Sequence, residues 1–223
     1  MVLGTIAAGI ALGTLAGSPM VDTQIVPGTR EALNSSNTLF GPTGLIRVPT
    51  AYVTPHSQVQ FSASFGKDLR GPAANWGITP GVEVGGAFMD REGLSNKAIA
   101  NAKVNIIPQN FEFFEVGVGV IDAADAISRS YYVVGSADFE VPRRVEQRAI
   151  GFRLHAGVGT GMFEENLIGG GELVFDRQFS VIGEWDAENF NAVLRYAHDE
   201  FFRIQAGLQH TDLFLGATYA MQF

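Results

Sequence analysis

The sequence predicts an all-β chain: a transmembrane, antiparallel, up-and-down β-barrel of about twelve strands. Three observations carry that expectation. Apolar and polar residues alternate from residue 57 to the end, the apolar parity is free of charge, and the last strand closes on an aromatic residue. Composition agrees. The 223 residues are 46% hydrophobic yet only 17% charged, with 27 glycines, whereas soluble domains average roughly 25% charged. Mean hydropathy is only +0.13, too low for a bundle of membrane helices. Apolar content without apolar runs is what period-two strands produce.

The alternation is plain at both ends of this region. Val59, Phe61, Ala63 and Phe65 alternate with Gln58, Gln60, Ser62 and Ser64; Phe202, Ile204, Ala206 and Leu208 alternate with Arg203, Gln205 and Gln209. Twelve segments follow this pattern, near 57–66, 73–79, 81–89, 97–107, 111–121, 130–140, 148–158, 168–175, 178–185, 188–198, 202–210 and 213–223. Most have the length a tilted strand needs to cross a bilayer. The more apolar parity collects residues such as Trp76, Phe88, Val118, Tyr131, Phe152, Val181, Trp185 and Leu194. Across roughly fifty such positions there is no Asp, Glu, Lys or Arg, where composition would place roughly nine. A soluble sandwich also alternates, but its outer face would be the charged one.

Connections near 66–73, 89–97, 121–130 and 158–168 read as longer outer loops, and Pro80-Gly81 and Asp176-Arg177 as tight turns at the other end. The stretch 141–147 breaks that rule, so ten or fourteen strands stay open. An even count puts both termini on one side, the periplasm. Leu213, Leu215, Ala217, Tyr219, Met221 and Phe223 alternate to the terminal aromatic. This resembles the C-terminal signal by which bacterial outer-membrane proteins are read by the barrel-assembly machinery. The resemblance assigns that role to Tyr219 and Phe223.

Residues 1–16 are uncharged and rich in Ala, Leu and Ile, with Thr14 and Ala16 as the small residues of a cleavage site. They read as a signal sequence, with an uncleaved anchor or a buried helix as competing readings. Residues 17–56 lack periodicity and form a periplasmic segment or partial plug; 57–223 form the barrel.

The opposite parity should line the lumen. It places Glu83, Glu115, Asp138, Glu172 and Glu184 against Lys97, Lys103, Arg148, Arg153, Arg195 and Arg203, with His155 among them. Nearly balanced signs predict a hydrogen-bonded ion network rather than a wide single-sign pore. The surplus of acid in a chain of net charge −8 then lies in the connections: Asp122, Asp125, Glu164, Glu165, Asp199 and Glu200. These read as solvated loop residues, with divalent-cation sharing beside lipopolysaccharide as the lesser reading.

The acidic balance excludes nucleic acid as a partner. The chain has no cysteine and no His-Glu-x-x-His, Gly-x-Ser-x-Gly or phosphate-loop pattern. No metal, cofactor or catalytic residue is therefore expected. His198 beside Asp199, and His210 near Asp212, read as strand-end histidines rather than acid–base sites.

Gly41-Pro-Thr-Gly-Leu-Ile-Arg-Val-Pro-Thr-Ala51 precedes the first strand, and Trp76-Gly-Ile-Thr-Pro-Gly-Val-Glu-Val-Gly-Gly86 opens an early hairpin. Together they resemble the YjbH-like family of outer-membrane barrels linked to exopolysaccharide production, over about residues 39–90 and the last strand. This chain is much shorter than typical members and holds one barrel. The resemblance implies a non-enzymatic role in envelope or exopolysaccharide assembly, with membrane lipid, lipopolysaccharide and a larger envelope complex as partners. A narrow porin-like channel is the alternative, and a lipid-modifying enzyme acting through His155 or His198 the third. On the first two readings, Gly41–Ala51 tucks into the periplasmic mouth.

Overall fold

A computed structural model describes residues 35–66, 69–91, 96–106, 114–141, 150–175, 178–199 and 201–223. The proposed signal sequence, and Arg148 and Glu200, lie outside the described residues. Two short strands, β1 (Ser36–Asn37) and β2 (Thr43–Gly44), pair with each other. The wall follows as β3 (Gln58–Phe65), β4 (Leu69–Thr79), β5 (Val82–Arg91), β6 (Lys97–Asn105), β7 (Phe114–Ile121) and β8 (Ser130–Val141). It continues as β9 (Ile150–Gly159), β10 (Asn166–Phe175), β11 (Phe179–Trp185), β12 (Phe190–Ala197), β13 (Phe202–Gln209) and β14 (Asp212–Gln222).

Each wall strand pairs antiparallel with its sequence neighbours, and β14 pairs β3 from Leu215↔Phe65 to Gln222↔Gln58, which closes the ring. Closure leaves no open edge, as a strand-built membrane protein requires. The twelve alternating segments are the twelve strands. The main shift is at β4, which begins at Leu69 rather than 73. Pro72 still faces Ala63 on β3, and the ladder to β5 passes from Arg70↔Asp90 to Ala73↔Ala87 around the proline, which has no N–H to give. That extension adds an exposed ion pair, Arg70 to Asp90 at 2.9 Å, at the end of the hairpin.

Register makes the faces separate. Phe61, Trp76, Phe88, Tyr131, Phe152, Val181, Trp185, Phe190, Leu194, Leu215 and Tyr219 stand exposed on the outside. Gln60, Asn75, Glu83, Lys103, Ser136, Arg153, Glu172, Arg195 and Arg203 are buried inside. An uncharged apolar exterior around a polar, charged interior is the reverse of a water-soluble barrel. No helix among the described residues is long and apolar enough to cross a membrane; here the strands do the crossing.

Loop lengths depart from the expected asymmetry. At the end where β3 begins and β14 finishes, the terminal end, the connections 106–113 and 142–149 are long; at the opposite, distal end, 66–68 and 186–189 are short, though 122–129 is long. The extension of β4 back to Leu69 and of β5 on to Arg91 shortens the first two expected outer loops, while 122–129 keeps its length.

The interior differs most from expectation. Residues 35–54 are almost all buried, with Leu45, Ile46 and Val48 fully so. They form a twice-turned hairpin segment inside the ring, with one turn at 38–42 between β1 and β2 and a second, its tip, over Leu45–Val48. Leu39, Phe40, Leu45, Ile46 and Val48 pack with inward-facing Met89, Ile99, Ile121, Tyr132, Ile168, Ile182, Val193 and Phe214. Most of these wall residues lie toward the distal ends of their strands, and Phe163 of a short 3-10 turn joins them there. The hydrophobic core of this protein is therefore inside the barrel, and the segment fills the lumen rather than capping its mouth.

Glycines on the wall make room for it. A Cβ on Gly77 would overlap the carbonyl oxygens of Pro55 and Thr54, where His56 bridges Gly77. One on Gly117 would stand 2.8 Å from the Ala51 Cα. The Trp76-Gly77-Ile78-Thr79 element thus owes its glycine to close backbone approach. Gly77→Val is expected to cost about 1–3 kcal/mol through overpacking, read as a lower urea midpoint of the detergent-folded protein.

Candidate functional site: the plugged lumen

Two wall carboxylates grip the hairpin from opposite sides. In the ring order β11 and β5 stand six places apart among twelve. On β5, Glu83 accepts the Thr43 N–H at 2.9 Å and the Thr54 N–H at 2.8 Å, together with both threonine hydroxyls, at 2.6 and 3.1 Å. Lys103, its cross-strand neighbour on β6, pairs with it at 3.0 Å and donates to the Thr43 carbonyl at 2.8 Å.

On β11, Glu184 accepts three successive plug amides: Ile46 at 2.9 Å, Arg47 at 2.9 Å and Val48 at 3.2 Å. Successive N–H groups converging on one anion form a backbone nest. The Asn191 amide holds the same carboxylate at 2.9 Å from β12. Arg195 covers the other polarity, donating to the Leu45 carbonyl at 2.9 Å. The wall thus reads both the N–H and the C=O groups of the turn Leu45–Val48.

Smaller contacts pin the remainder. Asn101 donates to the Phe40 carbonyl at 2.6 Å, and Asn75 donates to the Gly41 carbonyl. Ser36 and Thr218 hydroxyls share a hydrogen bond, and the Asn37 amide reaches the Gln60 carbonyl at 3.3 Å. Ala51 N–H donates to Ser136 Oγ at 2.9 Å. Inside a membrane barrel a segment with few ladder bonds needs such partners for its backbone.

Some of the inward-facing charges meet one another. Arg153 meets Glu172 at 2.8 Å and Asp138 at 3.8 Å, and Arg195 reaches Glu172 at 3.1 Å. Glu115 accepts from Asn105, and Arg203 is buried on β13. Lys97 is exposed, at the distal start of β6 rather than within the lumen. The partners differ from a wall-only network: Glu184 is held by plug amides and Asn191 with no wall cation paired to it among the described residues, and Glu83 takes plug amides as well as Lys103. Alternation finds which side chains face inward; it says nothing of what stands before them. Arg47, Ser136, Asp186 and Asn191, absent from the sequence-based set, are part of the same arrangement.

Asp122 also departs from a solvated loop residue. It is buried and accepts the N–H groups of Ala126, Ile127 and Ser128 at 2.9, 2.6 and 2.9 Å, shaping the loop after β7. In the turn after β12, the backbone N–H groups of Phe202 and Phe201 hold the exposed Asp199 carboxyl below the usual carboxylate range. That tie is present at neutral pH and is lost as pH falls through the lowered value. Asp199 is thus occupied in fixing a turn. Ser136 Oγ lies 2.8 Å from His155 Nδ1, but both are buried, with Ala51 on the serine and the Tyr52 ring edge-on to the imidazole. Tyr219 and Phe223 are exposed on the outer face, and the Phe223 N–H bonds the Ser57 carbonyl at 3.0 Å.

No protein-family model and no curated protein matches the chain. Among solved structures it is similar to the KdgM porin, with 11% identity and a TM-score of 0.48 over 74% of this chain and 99% of that one. It is also similar to the outer membrane protein Omp33 of Acinetobacter baumannii, with 11% identity and a TM-score of 0.47 over 74% of this chain and 97% of the other. The apolar belt and the closed ring decide the setting. This is a membrane-spanning β-barrel.

Proposed function

We propose that the protein is a narrow porin-like channel held shut by its own residues 35–54. The observation that carries this reading is the partnering of Glu83, Glu184 and Arg195. Taking a charge out of water costs several kcal/mol unless it is answered, and a permanently filled lumen needs no such groups. These charges are answered by a separable hairpin rather than by the wall alone, so its withdrawal returns them to water as the lining of a polar path. The wall begins with β3 and finishes with β14 at one end, which faces the periplasm in an outer-membrane arrangement, so the tip at Arg47 points outward.

The role in envelope or exopolysaccharide assembly is the second reading. The apolar contacts between the hairpin and the distal wall favour it, because they resist withdrawal, and Gly41–Ala51, which carries the family resemblance, is the hairpin itself. Liposome swelling separates the two. The full chain is expected to admit a small sugar slowly, and a chain lacking residues 35–54 to admit it readily. A folded deletion variant as tight as the full chain supports the assembly role and removes the channel.

A further inference from the structure

The wall's holds on the hairpin differ in their access to water: Glu83 and Glu184 are both buried, whereas the Arg47–Asp186 pair beside Glu184 is partly open. Around Glu83 the site is sealed: the Lys103 and Glu83 side chains are 0% and 2% exposed. At the tip, Arg47 Nη1 meets Asp186 Oδ2 at 2.7 Å with the arginine side chain still 21% exposed. Asp186 sits in the β11–β12 turn, at the distal rim. It is fully buried and fixed there: its Oδ1 accepts the Asn189 N–H at 2.8 Å, and its Oδ2 also takes the Asn191 amide at 3.1 Å. The arginine is held less completely. Its guanidinium lies 5.4 Å from the centroid of the Phe40 ring, on the hairpin itself, and its Nε has no hydrogen-bond partner among the described residues. A rigid acceptor therefore faces an arginine whose Nε is buried but whose side chain is partly open to water.

We infer that the Arg47–Asp186 ion pair is an autoinhibitory latch, and that opening begins at this tip while the Glu83 grip stays closed as the anchor. This rests on the channel reading above. Water can take over the arginine's bonds one at a time, whereas opening at Glu83 would first strand a buried lysine. The tip is also where the outside solution acts on the hairpin, so ionic strength reaches the latch and not the anchor.

The test is open probability in planar bilayers, using folded full-length protein. Arg47→Gln and Asp186→Asn are each expected to raise it about tenfold, the size set by one charge-assisted hydrogen bond. Asparagine keeps a carbonyl oxygen for the Asn189 turn, so the wall is preserved. The double variant is expected to match the single ones, because both remove one interaction. Arg47→Lys should keep most of the closure, and Arg70→Gln, on the exposed pair of the β4–β5 hairpin, all of it. Raising salt should increase the opening of the native chain but not of Arg47→Gln. If deletion of 35–54 opens the barrel while both single variants behave as native, the latch is wrong and the channel stands. A deletion variant that folds yet stays closed removes both.

Discussion

Replacing Glu83 by leucine is expected to lower the stability of the folded barrel by about 3–5 kcal/mol, the range for removing one partner of a buried ion pair. Glu83 is 1% exposed and serves two hairpin amides, two hydroxyls and Lys103. Leucine answers none of them and leaves a fully buried ammonium with the Thr43 carbonyl as its one hydrogen-bond acceptor among the described residues. The check is a urea titration read by heat-modifiable gel migration. The control is Glu83→Leu with Lys103→Met. Removing both charges together replaces a stranded ion by apolar contact, so the double variant should be more stable than the single one. A double variant at least as damaged would mean that Glu83 acts through its threonines alone.

Glu184→Leu is expected to act on the hairpin more than on the wall. Three successive N–H groups lose their acceptor, at about 1–3 kcal/mol each where water cannot replace it, while the β11 ladders to β10 and β12 stay intact. The turn Leu45–Val48 should then leave its cradle. Trypsin reports this directly, because Arg47 is a cleavage site inside that turn. The native chain should resist cut there, Glu184→Gln should be cut slowly, and Glu184→Leu quickly with the barrel still folded. Equal resistance in all three would show that the apolar contacts of Leu45 and Ile46 alone seat the tip.

Much of this architecture is legible in the sequence, and the reason is physical. A side-chain period of two, with one face in lipid, forbids charge on every second residue, so even Glu83 and Glu184 announce their direction. The hairpin is another matter. Gly41–Ala51 has no period, because wall side chains satisfy much of its backbone, and its own bonds are tight turns and short pairings, β1 with β2 and Gly44 with Pro49. Nothing local tells Thr43 that Glu83 lies across the lumen. Gly77 and Gly117 held the clue. Glycine on an inward parity marks something close to the wall, and both stand against the hairpin. Asp122 shows the opposite limit, since an acid in a connection reads as solvated until the loop closes around it.

Single-channel recording of the folded chain, with and without residues 35–54, tests the central claim most directly. The full chain should stay at baseline with rare brief openings, and the deletion variant should conduct steadily. Steady conductance by the full chain, or a silent deletion variant that is correctly folded, would contradict a channel closed by its own hairpin.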